Sequence, residues 1–266
     1  MVRICVAGAC GRMGRRILEL AAQAEDLEIG GAFDLPAAAG TDLPLAAGTP
    51  RAATVTLGQS AEDALRNSDA IIDFTAPDAC VAHVQTAAEL GKAVVVGTTG
   101  LSAEQNAVIH AAAQRIPVVY APNMSVGVNL LFNLVSEAAR ILGPDYDIEV
   151  VEIHHNQKKD SPSGTAVRLV ERAAESRGLR VPDDCRYGRE GLVGARPQDE
   201  IGVHAVRGGD VTGDHTVYFL GQGERIELTH RAHSRDTFAQ GALRAARFTA
   251  SAAPGLYDMQ DVLGLR

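Results

Sequence analysis

The chain has 266 residues, 25 Lys and Arg against 33 Asp and Glu for a net charge of −8, and 46% hydrophobic residues, enough for one large or two modest domains and too apolar for a disordered chain. That negative field repels polyanions, and the lack of Trp with only 4% aromatics removes base-stacking platforms, so no nucleic-acid partner is expected. The longest uninterrupted apolar runs, such as Ala93 to Val96 and Ile116 to Ala121, are strand-sized, so no membrane span is expected, and four scattered cysteines with no secretory leader pattern point to a reducing, cytoplasmic setting.

In chain order, short β-branched runs alternate with Ala-rich amphipathic segments from residue 1 to about 124, the pattern of βαβ units around a parallel sheet. Strands are predicted at Arg3 to Ala7, Glu28 to Phe33, Ala70 to Phe74, Ala93 to Gly97 and Val118 to Ala121. Helices are predicted at Gly11 to Ala24, Ala61 to Arg66, Pro77 to Leu90 and Ser102 to Ala113, with Ser60 and Ser102 as N-caps. The Ala-, Gly- and Pro-rich stretch Pro36 to Pro50 reads as loop. After residue 125 come a helix (Val126 to Leu142), a strand through His154, a second helix (Ala166 to Ser176) and three strands at Ile201 to Arg207, Thr216 to Leu220 and Arg225 to Ala232. Turns containing Gly208-Gly209 and Gly221-Gln222-Gly223 make those three an expected antiparallel meander. A last helix follows at Thr237 to Thr249. The fold class is therefore α/β: a Rossmann-like doubly wound parallel sheet (residues 1–125) and a second α+β domain on an open mixed or antiparallel sheet (126–235).

Directly after the first strand stands Gly8-Ala9-Cys10-Gly11-Arg12-Met13-Gly14. Glycines there permit a sharp turn, close approach to a pyrophosphate and packing of the following helix, whose N-terminal N–H groups face the anion. Spaced G-x-x-G-x-x-G, the loop is one residue off the commoner fingerprint. Asp34, 20 residues beyond Gly14 at the end of the next strand, supplies a carboxylate for ribose hydroxyls. Leu35 follows it and no arginine comes after until Arg51, leaving only Arg12 of the glycine loop to offset repulsion of a 2′-phosphate in part, so NADH should be tolerated at least as well as NADPH. Two further strand ends, Gly97-Thr98-Thr99-Gly100 and Ala121-Pro122-Asn123-Met124, are either helix-capping turns or parts of a nicotinamide pocket.

The densest chemistry lies in Glu152-Ile153-His154-His155-Asn156-Gln157-Lys158-Lys159-Asp160-Ser161-Pro162-Ser163-Gly164-Thr165. Strand alternation sends His154 and His155 to opposite faces, so only one shares a face with Glu152 and a chelating pair is disfavoured; no metal is expected. Lys158 and Lys159 are either solvated charges or part of a carboxylate site, and Ser163, Gly164 and Thr165 open a helix whose N–H and hydroxyl groups form an anion receptor. A second cationic cluster, His230-Arg231-Ala232-His233-Ser234-Arg235, is either a basic hairpin edge or another part of that site. Together they suggest a small dicarboxylate.

The Gly8 to Gly14 loop, Gly97-Thr98-Thr99-Gly100, the run from Asn123 to Asn129, the Glu152 to Thr165 block and Ser234-Arg235-x-Thr237-Phe238 resemble the 4-hydroxy-tetrahydrodipicolinate (dihydrodipicolinate) reductase family of the diaminopimelate route to lysine. The resemblance implies hydride transfer from NADH or NADPH to a cyclic imino dicarboxylate, with Lys158 as principal acid and His154 as supporting acid/base. It implies substrate contacts from His155, Ser163, Gly164, Thr165 and Arg235, and dinucleotide contacts from Gly8, Ala9, Cys10, Gly11, Arg12, Met13, Asp34, Gly97, Thr98, Thr99, Ala121, Pro122, Asn123 and Met124. It also implies a homotetramer and a C-terminal segment, 236–266, returning to the first domain. Family members often carry a basic residue where Leu35 stands. Two rivals remain: another two-domain amino-acid-type dehydrogenase, for which Cys185 is the one candidate thiolate of an aspartate-semialdehyde type, and a non-catalytic NAD(H)-sensing regulator, which would need no acid in its pocket.

Overall fold

Buried β-branched runs and amphipathic helices alternate through the first half of the chain as the patterning predicts. The computed structural model describes residues 1–45 and 54–265. They include β1 (Val2–Ala7), α1 (Arg12–Gln23), β2 (Leu27–Phe33), β3 (Asp42–Pro44), β4 (Thr54–Thr56), α2 (Ala61–Arg66), β5 (Ala70–Asp73), α3 (Pro77–Glu89), β6 (Ala93–Val96), α4 (Ala103–Ala113) and β7 (Pro117–Tyr120). Then follow α5 (Val126–Leu142), β8 (Asp147–His154), α6 (Gly164–Arg177), β9 (Cys185–Tyr187), β10 (Ile201–Arg207), β11 (Asp214–Leu220) and β12 (Arg225–Arg231). The chain closes with α7 (Asp236–Thr249), β13 (Gly255–Tyr257) and α8 (Met259–Leu263). Two compact units emerge: Met1–Val126 with Asp236–Arg266, and Gly127–Arg235.

The first unit is built on a parallel sheet of order β13-β7-β6-β5-β1-β2. The chain runs outward from β1 to β2, then reverses to lay β5, β6 and β7 on the other side, so the crevice at the carboxyl ends of β1 and β5 is the topological switch point at which such sheets bind ligands. One face of the sheet packs Ile4, Val6, Ile72 and Val95 against Ile17, Leu18 and Ala21 of α1 and Ala242, Leu243 and Ala246 of α7. The other packs Cys5, Ile71, Val94 and Val96 against α2, α3 and α4. Ser60 and Ser102 cap α2 and α4, accepting the Asp63 and Gln105 N–H groups. The loop expected over Pro36 to Pro50 is corrected in part: a 3-10 turn occupies Pro36–Ala38, and β3 pairs with β4 so that Leu43 and Val55 bury together. Three-residue strands with one inward apolar side chain leave too little alternation to register; residues 46–50 of that stretch lie outside the described residues.

The second unit carries a five-stranded sheet of order β12-β11-β8-β10-β9. Here the antiparallel meander is overturned. Only β11 and β12 form a hairpin; β10 runs parallel to β8 while β11 runs antiparallel to it, so β8 lies between the two strands that were to be neighbours. The cause is the crossover through α6, which returns the chain parallel to β8. The segment carrying Gly208-Gly209 then straddles the end of β8, tied by His155 N–H to Val211 O at 2.8 Å and Gly208 N–H to His154 O at 2.9 Å. Helices α5 and α6 cover one sheet face, burying Val128, Leu131, Val135, Leu169 and Ala173 against Ile148, Val150, Val203 and Phe219. Val126–Asp145 also spans 20 residues at mean hydropathy 1.2, long and apolar enough to cross a membrane by length and composition, which a search for unbroken apolar runs overlooks because Asn129, Asn133 and Glu137 interrupt it. Its buried residues recur at helical spacing and belong to this unit's core.

Candidate active site

In the first unit, Gly8 turns the chain at φ +67°, a left-handed conformation open to glycine, and accepts the Gly11 N–H at 3.0 Å. Gly14 lies so close beneath that a Cβ there would stand 2.1 Å from Gly8 O. Gly11 caps α1 with no side-chain hydrogen bond, so the first-turn N–H groups of the helix have no side-chain cap. Asp34, one residue past β2, accepts the Cys10 N–H on Oδ2 and the Leu35 N–H on Oδ1, both at 2.7 Å. Each oxygen retains a second lone pair. A cavity of about 570 Å³ is lined by Gly8, Gly11, Asp34, Leu35, Thr75 and His83. This cradle suits a dinucleotide: close-approach glycines for the pyrophosphate and a carboxylate for the ribose.

Other sequence-predicted residues of this unit divide. Cys10 is exposed on the loop, Arg12 is exposed at the first position of α1 and Met13 is half-buried, whereas Ala9 is in the core and gives its N–H to Phe33 O at 3.1 Å. Gly97 to Thr99 and Ala121 to Met124 follow β6 and β7 at the same edge of the sheet; Ala121 and Met124 are buried and Asn123 Oδ1 accepts the Ser125 N–H at 2.9 Å. Thr98 is turned inward onto Asp73, which the sequence reading missed. Asp73 is fully buried at the end of β5 and is held by Thr75 N–H (2.9 Å), Thr75 Oγ1 (2.7 Å), Thr98 Oγ1 (2.8 Å) and His83 Nδ1 (2.6 Å). Burial pushes its carboxyl up, but the hydrogen bonds from His83 and Thr75 outweigh it and hold the pKa below the usual carboxylate value.

In the second unit, alternation along β8 places Glu152 and His154 on one face, both buried, with His154 Nδ1 2.6 Å from Glu152 Oε2. His155 falls beyond the strand end, half-buried. Glu152 also receives both Nη atoms of Arg207 at 2.7 Å and the Ser163 N–H at 3.0 Å. Burial raises its pKa and the hydrogen bonds from Arg207, His154 and Ser163 lower it, leaving a net depression. His154 is itself shifted down, mainly by burial and secondarily by Lys158 and Arg207, against the pull of Glu152. A third imidazole, His215 of β11, stands edge-on to His154 with centroids 5.1 Å apart; burial, His154 and nearby cations push it down to about 3, so it is neutral at physiological pH.

Lys158 pairs with Asp160 at 2.9 Å, and Lys159 is exposed. Ser163 is buried, its hydroxyl accepting the Ala166 N–H at 3.2 Å as the cap of α6 and contacting His215 Nε2 at 2.9 Å. Gly164, with open space where a Cβ would stand, and the half-buried Thr165 begin α6, and Arg235 is exposed in the turn before α7. Sequence reasoning passed over Arg207 and His215, because their proximity to His154 depends on the strand order. Among the described residues no group of three or more His, Cys, Asp and Glu is placed to hold a metal ion.

Comparison with known families decides the kinship. The family model described as "Dihydrodipicolinate reductase, N-terminus" matches residues 2–124, and the one described as "Dihydrodipicolinate reductase, C-terminus" matches residues 127–263. The chain belongs to the dihydrodipicolinate reductase family. Relatives named 4-hydroxy-tetrahydrodipicolinate reductase include one from Anaeromyxobacter sp. (strain Fw109-5), 53% identical over 100% of this chain and 99% of its own, and one from Citrifermentans bemidjiense, 49% identical over 100% of both. A solved structure, the dipicolinate-bound dihydrodipicolinate reductase from Paenisporosarcina sp. TG-14, superposes with a TM-score of 0.78 at 25% identity over 98% of each chain. Family membership makes the chain an NAD(P)H-dependent reductase with a Rossmann-type dinucleotide-binding domain.

Proposed function

We propose that the chain reduces 4-hydroxy-tetrahydrodipicolinate to tetrahydrodipicolinate in diaminopimelate and lysine biosynthesis. When bound, the nicotinamide dinucleotide supplies a hydride. Gly8, Gly11 and the α1 N-terminus hold the pyrophosphate, and Asp34 accepts the ribose hydroxyls. Lys158 holds the proton the reduced ring requires, and its charge offsets electron density arriving there. His154 supports it, with Nδ1 committed to Glu152 and Nε2 left to exchange a proton. His155, Gly164, Thr165 and Arg235 receive the two carboxylates. The observation that carries this reading is the array on one strand and its following loop, in which a buried carboxylate fixes His154 and Lys158 follows four residues later.

NADH serves at least as well as NADPH, because Asp34 is followed by the exposed Leu35, which offers a 2′-phosphate no hydrogen bond. The protein works in the cytoplasm as a homotetramer, pairing the face of the second sheet that α5 and α6 leave uncovered. Support for turnover comes from following NADH and NADPH oxidation by absorbance with substrate generated from pyruvate and aspartate semialdehyde. Both should be consumed, and oxidation of neither would leave the sensing-regulator reading in its place.

A further inference from the structure

Arg207 stands at the last rung of the β10–β8 ladder, directly opposite His154. Its guanidinium meets Glu152 fork to fork: Nη1 to Oε2 and Nη2 to Oε1, each at 2.7 Å. Oε2 also takes His154 Nδ1, and Oε1 the Ser163 N–H. An ionised carboxylate has about four acceptor sites and no donor. All four are engaged here, so the Nδ1 of His154 must carry the proton and Nε2 is the atom that gains or loses one. Nε2 lies beside Gly213, where a Cβ would stand at 2.9 Å.

The guanidinium does more than satisfy a buried charge. Glu152 pulls His154 toward imidazolium against the effect of burial; with the carboxylate charge shared by Arg207, that pull is weaker and the neutral imidazole is favoured further. The other Nη2 hydrogen bond, to Asp160 O at 2.8 Å, anchors the loop between β8 and α6. In that loop Asp160 holds Lys158 Nζ at 2.9 Å. One side chain thus bears on both proposed proton-handling groups, from a strand that neither occupies. Only a planar fork can do this; a lysine ammonium offers no bidentate face.

We propose that Arg207 is the positioning residue of this site, fixing the tautomer and charge of His154 through Glu152 and the placement of Lys158 through the main chain of Asp160. The proposal rests on the roles given above to His154 and Lys158. The charged and titratable groups facing His154 are Glu152 on its own strand, Lys158 in the following loop, Arg207 on β10 and His215 on β11.

The test uses full-length Arg207→Gln, Arg207→Lys and Glu152→Gln, with the pH dependence of kcat and kcat/KM and the ring-nitrogen NMR titration of His154, assigned by its loss in His154→Asn. Arg207→Gln leaves the carboxylate uncompensated, so the His154 titration should move up by about one pH unit or more, while Glu152→Gln should move it down and mix the tautomers. Arg207→Lys should restore the charge but not the fork, giving an intermediate midpoint with kcat still about tenfold low. NADH Kd should stay within about twofold in each, because the dinucleotide cradle belongs to the other unit. A merely structural role would lower kcat equally at all pH values; that result, or shifts of the same sign in both Gln variants, overturns the proposal. If Arg207→Gln does not fold, the paired Glu152→Gln and Arg207→Lys titrations carry the decision. Should the wild type oxidise no dinucleotide with this substrate, the functional reading fails, and the NMR titration still decides the coupling of Arg207 to His154.

Discussion

Replacing Asp34 by alanine separates two contributions of one carboxylate. Asp34 accepts the Cys10 and Leu35 N–H groups, both at 2.7 Å, so its loss loosens the glycine loop and weakens any dinucleotide by a common factor. With NADH a further contribution disappears, the hydrogen bond from ribose to a charged acceptor, worth about 1.5–3 kcal/mol. With NADPH a repulsion disappears instead, between carboxylate and 2′-phosphate; at about 5 Å and fully screened by bulk water it amounts to at least roughly 1 kcal/mol. The two differences add, so the NADH to NADPH affinity ratio should fall by roughly 10²- to 10³-fold, whatever the common loss. Fluorescence titration of each cofactor against wild type and Asp34→Ala measures that ratio with no turnover required. Equal weakening of both cofactors would refute the ribose contact and leave Asp34 as a loop brace.

Lys158→Ala should lower kcat by at least ~10², the worth of a positioned acid, with NADH Kd unchanged in a binding titration. Thr98→Val removes the hydroxyl that donates to the buried Asp73 and accepts the Thr75 N–H, and should cost about 1–3 kcal/mol in urea unfolding. Glu149, where hydrogen bonds from Arg189, His204 and Arg196 overcome burial and hold the pKa at about 2, contributes stability that is complete above its ordinary value of 4.5 and lost as pH falls toward 2. Glu149→Gln should flatten the dependence of Tm on pH across that window. Pyridine-2,6-dicarboxylate should compete with substrate and raise Tm, by about 2.7 kcal/mol of added stability at one hundred times its Kd; no shift at saturation would count against the dianion site.

The first unit was largely legible because its chemistry is local: a glycine turn, the helix it starts and a carboxylate one strand later lie within 34 residues. Glu152 and His154 were likewise readable as sharing a face from their two-residue spacing. Arg207 was not, since it lies 55 residues from Glu152 and reaches it only if β10 joins β8 in parallel. Gly208-Gly209 suggested a hairpin, and nothing in the local pattern reveals that the connection passes over a third strand. Ser163 shows an ambiguity that local pattern leaves open. A hydroxyl before a helix reads equally as a cap or as a ligand contact, and its burial beside His215 is a tertiary fact.

The path of the last thirty residues has a consequence for biogenesis. Helix α7 supplies Ala239, Ala242, Leu243 and Ala246 to one face of the parallel sheet, and β13 closes its β7 edge. A ribosome that has already released everything through Arg235 has therefore delivered the nucleotide half with one side of its sheet covered by α1 alone and a strand edge unpaired. Premature termination there would yield a sticky fragment rather than a smaller working domain, and protection of the nascent chain must last until the final segment has docked.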